Sequence, residues 1–130
     1  MHEWREHTAE VELVIEAASP EEVFAEAALA FAELVGPPAG DSQPRSRAVH
    51  LDARDRASLL VDWIEELIYL ADTEGFLPSE ASVRLTDASL SARLDGGVGA
   101  IDPLVKAATY HGLSFEQQEG RWHAHVVLDV

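Results

Sequence analysis

Chemistry-bearing side chains concentrate in a few short stretches of this chain. Near the start, His7-Thr8-Ala9-Glu10 precedes an alternating run, where a plain strand needs only a lead-in. Near the end, Lys106 and the segment Ala108-Thr109-Tyr110-His111-Gly112 form a polar island in an otherwise apolar strand. The last ten residues, RWHAHVVLDV, place His123, His125, Val127 and Asp129 on one face of a strand. Histidines two apart on a strand face have the spacing of a chelating pair, with two solvated imidazoles as the plain alternative. His125 and Asp129 are four residues apart, roughly 13 Å along a straight strand, too far to share one ion. Asp129 instead neighbours the terminal carboxylate of Val130. Two oxygen donors at one place suit a hard cation; the competing reading is a frayed, solvated tail. Glu10 is one acid among 24, and on composition alone surface placement is the plainer reading. Tyr110 and His111 have the types for acid–base chemistry, against a packed tyrosine with its hydroxyl satisfied.

These residues need elements to hold them. Val11, Leu13 and Ile15 alternate with Glu10, Glu12 and Glu16, which predicts a half-buried strand. Ser19 as N-cap, Pro20 at the first helical position and Glu21-Glu22 in the first turn predict a helix. Phe24, Ala28, Phe31 and Val35 form its stripe, and Gly36-Pro37-Pro38 stop it. Pro37 to Ser46 reads as a loop and SRAVHLDA as a second strand. Asp55 caps a second helix, ending at Gly75 and Pro78. Its stripe of Leu60, Trp63, Ile64, Leu67 and Ala71 is widened by Leu59, Ile68 and Leu70, so it should be largely buried, with Asp62, Glu65 and Glu66 on its polar side. From Glu80 the period changes to two: ASVRLTD and ASLSARLDGG read as a hairpin turning near Asp87. Gly96, Gly97 and Gly99 read as a flexible link, followed by two strands joined at Glu119-Gly120. The expectation is one α+β domain over residues 1–130, with a mostly antiparallel or mixed sheet and two helices packed on it.

Composition narrows the function classes. With 130 residues and 47% hydrophobic content, the chain is long enough for one core. No cysteine is present, which excludes disulfides, thiolate zinc sites and a cysteine nucleophile. No apolar run approaches the roughly 20 residues of a membrane span. The N-terminus is polar, unlike a signal peptide, so a cytoplasmic protein is expected. Asp plus Glu total 24 against 9 Lys plus Arg, a formal charge of −15. Such a surface repels phosphate backbones, and tight unaided nucleic-acid binding is not expected. It suits a basic partner, a bound cation or a salt-rich cytoplasm. There is no Ser-His-Asp arrangement and no phosphate-binding glycine loop.

Taken in order, EHTAE, EEVFAEAALAFAELV, LLVDWIEELIYLADTEG, VKAATYHGL and the aliphatic-Asp-aliphatic ending resemble the archease family over nearly the whole chain. The resemblance implies a small non-catalytic accessory protein of the RtcB-type RNA-splicing ligase. That ligase joins a 3′-phosphate or cyclic-phosphate RNA end to a 5′-hydroxyl, using GTP and a divalent metal. The accessory protein would speed formation of the ligase–guanylate intermediate and permit multiple turnovers. The family's metal site implies Glu10, Asp129 and Val130 as ligands of calcium, magnesium or manganese. The family's usual acid at the first position is Asp. Glutamate reaches one methylene further, which calcium tolerates better than octahedral magnesium. His7 is implied to orient the loop, and Lys106 to contact a phosphate or an acidic ligase group, with Tyr110 and His111 as further candidate contacts to the partner. Two other functions stand beside this one: a metal-free, chaperone-like scaffold, and a small stand-alone acid–base enzyme.

Overall fold

Alternating, stripe-forming and glycine-rich segments assemble here into two sheets and two helices. The computed structural model describes residues 1–7, 9–102 and 104–130, with the side chains of all but Glu6 and His7. In chain order the elements are β1 (His2–His7), β2 (Glu10–Ala17), α1 (Pro20–Val35), β3 (Ala39–Asp52), α2 (Arg56–Glu74), β4 (Phe76–Leu85), β5 (Ser89–Ala100), β6 (Ala107–Gln118) and β7 (Arg121–Asp129). A four-stranded sheet runs β1-β2-β7-β6 and a three-stranded sheet β3-β5-β4, and every pairing is antiparallel. Both helices contact strands of both sheets. One hydrophobic cluster joins Leu13, Ile15, Phe24, Phe31, Trp63, Phe76, Leu94 and Leu128 across all of these layers. The α+β class with two helices on antiparallel sheet holds, divided between two sheets rather than one.

Local chemistry explains the helix starts. The Ser19 hydroxyl accepts a hydrogen bond from Glu22 N (3.2 Å), and the Asp55 carboxylate accepts one from Ser58 N (2.8 Å), so each satisfies an amide that the first turn leaves free. The backbone N–H of Ser58, followed by its side chain, lowers the Asp55 pKa below its ordinary 3.8. A depressed folded-state pKa stabilises above the ordinary value, and the contribution fades as pH falls through the folded one. The stability gap between the wild type and Asp55→Ala should therefore be present at neutral pH and close below 3.8, read by urea denaturation across an acid series.

Trp63 is fully buried, and its Nε1 donates to the Phe24 carbonyl (2.9 Å), locking α2 to α1. Phe24 sits edge-on to Trp63 and tilted against Phe115, which in turn meets Trp122. Arg56 lies over the Trp122 ring at 5.4 Å.

Three expectations change. β1 has no counterpart in the sequence reading. The loop expected from Pro37 to Ser46 is strand from Ala39 onward, and Asp41 to Ser46 are exposed, so no apolar alternation marks it. The glycine link is strand too: Gly96 pairs with Pro78 and Arg45, and Gly97 with Leu77 and Pro44. A Cβ on Gly96 would lie 2.1 Å from the Leu77 carbonyl oxygen, so glycine serves close backbone approach rather than flexibility. The turn near Asp87 is present, with the Thr86 hydroxyl accepting from Ala88 N and Ser89 N. Glu119 and Gly120 form the β6–β7 turn with φ of 52° and 77°.

Candidate metal centre

The rung that matters crosses the four-stranded sheet. His7 pairs with Glu10, Glu10 with Asp129, and Asp129 with Ala107. Val11, Leu13, Ile15 and Ala17 on β2, and Ala124, Val126 and Leu128 on β7, face the core. Glu10 and Asp129 therefore stand together on the sheet's other face. Directly opposite residues in an antiparallel pair have Cβ atoms about 4.5–5.5 Å apart, which puts both carboxylates within reach of one cation. Both side chains are half-buried.

Main-chain bonds pin this corner. Val130 N donates to the Ala9 carbonyl (3.2 Å), and Lys106 N donates to the Asp129 carbonyl (2.8 Å). Ala9 has φ of 65°, a left-handed backbone that costs a residue with a β-carbon on the order of 1 kcal/mol. Its carbonyl is the group that holds Val130, so the strained turn and the last residue are coupled.

The side chains gathered at this corner are carboxylates, oxygen donors of the kind that hard cations prefer over zinc or copper. Among the described residues, no group of three His, Cys, Asp or Glu gathers around a common point.

The other sequence candidates separate. Among the described residues, the Lys106 ammonium has no ion-pair partner; the residue is exposed at the entry to β6, next to the Asp129 rung. The side chain of His7 lies outside the described residues, and only its pairing with Glu10 is given. Tyr110 and His111 are exposed, so the packed, satisfied tyrosine is overturned. The cause is a bulge in β6: Thr109 pairs with Val127 and Ser114 with His125, and the chain between them swings out of register. Gly112, at φ of 67°, turns that bulge and gives its carbonyl to His125 Nδ1 (2.6 Å). His125 Nε2 faces Glu12 Oε1 at 3.6 Å, so the imidazole is held within the sheet face rather than paired with His123 on an ion. One contact escaped the sequence reading altogether: Glu65 Oε1 accepts from Ala108 N (2.9 Å), a helix carboxylate closing an edge-strand amide. Its signal was only a glutamate on a largely buried helix.

The fold and this corner define a class: a small two-sheet α+β domain presenting a cross-strand carboxylate pair on the two central strands of its four-stranded sheet. The family model of the Archease protein family (MTH1598/TM1083) matches residues 2–130. The chain belongs to the archease family. It is 32% identical over 139 residues to protein archease of Methanosarcina mazei, covering 99% of this chain and 95% of that one. It is 34% identical to protein archease of Methanothermobacter thermautotrophicus, covering 85% and 84%. The solution structure of Methanobacterium thermoautotrophicum protein 1598 superposes with a TM-score of 0.80 at 31% identity, over 99% of this chain and 98% of that one. The crystal structure of a Thermotoga maritima archease, a possible chaperone, shares the fold with a TM-score of 0.69 at 22% identity, over 100% and 98%. No helix among the described residues is long and apolar enough to cross a membrane.

Proposed function

We propose that this chain is a non-catalytic accessory protein of an RtcB-type RNA ligase in the cytoplasm, promoting ligase guanylylation and repeated turnover in tRNA splicing or RNA repair. Family membership supports the class of role, and the pairing of Glu10 with Asp129 is the observation that carries the metal. Glu10, Asp129 and the main-chain oxygens of Val130 would hold a divalent cation, calcium before magnesium or manganese because of the longer Glu10. When bound, that cation supplies positive charge for a nucleotide phosphate. Two carboxylates do not fill the roughly six to eight positions of a calcium shell, so water or the partner would supply the remaining ligands. Lys106, exposed and without an ion-pair partner among the described residues, would meet a phosphate or an acidic ligase group beside the rung. His7 would steady the turn. The formal charge of −15 suits docking on a ligase surface that is basic around its RNA channel.

The test is guanylylation of the cognate ligase with GTP and divalent metal, with and without this protein. A faster ligase–guanylate signal and a shift from single to multiple turnover are expected. Unchanged rates overturn the reading. The incomplete shell also gives standing to a metal-free, chaperone-like scaffold, for which stimulation would persist in full after chelation and repurification. A stand-alone acid–base enzyme finds less support: His111 is exposed, with no hydrogen-bonded carboxylate among the described residues.

A further inference from the structure

Among the described residues, five large apolar side chains are exposed: Met1, Leu29, Tyr69, Leu104 and Tyr110. Three of these belong to α2, to the segment entering β6, and to the β6 bulge. β6 is one of the two edge strands of the four-stranded sheet, and α2 packs along it. The fixed point is the bond from Ala108 N to Glu65 Oε1. Helix positions three before, four after and seven after Glu65 share its face, so Asp62, Tyr69 and Asp72 lie on the stripe that Glu65 turns toward β6. At the stripe's N-terminal end, Asp62 and Tyr110 line one open cavity of about 500 Å³, together with Ala53, Arg54 and Ser58. Beside Ala107, Lys106 N bonds the Asp129 carbonyl, so the seam adjoins the strand that carries Asp129, whose side chain stands with Glu10 on the sheet's other face.

Its chemistry is specific. Tyr69 is 58% and Tyr110 56% exposed, large aromatic faces left in water. Past Arg56, α2 carries no cation, while Glu66 and Asp72 border Tyr69 and Asp62 lies two turns further toward the helix start. Exposed aromatic rings flanked by carboxylates fit guanidinium groups, which stack on the ring and pair with the acids. A nucleic acid would meet four carboxylates along this helix face. We propose that the seam between α2 and β6 is a docking surface for a basic protein face, with Tyr69 and Tyr110 as anchors against arginine side chains and Asp62, Glu66 and Asp72 as the charged rim. The partner's identity rests on the reading above: it is the ligase, docked along β6, the edge strand next to the β7 strand that carries Asp129.

The experiment measures equilibrium binding of immobilised cognate ligase to the wild type, to Tyr69→Ala/Tyr110→Ala, to Asp72→Arg, and to Arg84→Ala on the three-stranded sheet. The tyrosine pair removes aromatic anchors and should weaken binding at least about tenfold. Asp72→Arg should weaken it too, with a reduced salt dependence, and Arg84→Ala should bind as the wild type does. Calcium titration and Tm of the variants are measured alongside; they should match the wild type, since neither tyrosine is a proposed ligand or a buried side chain. Wild-type binding with both seam variants within twofold overturns the docking surface and leaves the ligase reading standing. Loss on Arg84→Ala alone moves the interface to the other sheet and likewise overturns it. No binding by the wild type overturns the ligase reading and the seam with it.

Discussion

Asp129→Asn is expected to weaken calcium binding by at least about tenfold, roughly 1.4 kcal/mol, in calorimetric titration of this protein alone. Asparagine keeps the shape of the side chain and one acceptor oxygen, so β7 should keep its register with Glu10. What it removes is one of two charges on a hard-donor pair, and cation affinity at such sites follows ligand charge. A same-face control separates local from general electrostatics. Glu16 is engaged by Arg121 at 2.6 Å and lies six residues along β2 from Glu10, so Glu16→Gln should leave the isotherm unchanged. Glu10→Asp shortens one arm by a methylene and should improve magnesium relative to calcium, because the smaller ion tolerates less misplacement. Identical isotherms for the wild type and Asp129→Asn would remove the metal from this account; silence in both would leave the scaffold.

Trp63→Ala should cost about 3–5 kcal/mol in equilibrium denaturation, a large part of the roughly 5–15 kcal/mol that holds a domain folded. The indole is fully buried, stacks edge-on to Phe24 and donates to the Phe24 carbonyl, so truncation opens a cavity between the helices and removes their one indole-to-backbone bond. Trp63→Phe keeps most of the volume and loses that bond, and should cost about 1–2 kcal/mol. The same helices support β2 and β7 from behind, through α1 contacts with both strands, so calcium binding in the alanine variant should fall only as the unfolded fraction rises. A loss below about 1 kcal/mol on truncation would mean that the two helices repack without the indole.

Sequence by itself determined the parts whose energetics are local or one-sided. Ser19 and Asp55 cap their helices through bonds to residues three positions on, and apolar stripes at helical spacing select the buried faces. β2 shows period-two alternation because one of its faces lies on the core. The tertiary structure decided what depends on a partner far away in sequence. β1 and the first half of β3 bury too little to leave a pattern; they are strands because neighbours accept their backbone bonds. The glycines of β5 look the same in sequence whether they serve looseness or close approach, and only the Leu77 carbonyl beside Gly96 separates the two. Tyr110 is exposed because β6 slips register against β7, a mismatch between two strands that neither encodes alone. The candidate site is of this second kind. Glu10 and Asp129 are ordinary acids until β2 and β7 pair and set them face to face, since cross-strand register is a property of the pairing and of no single segment.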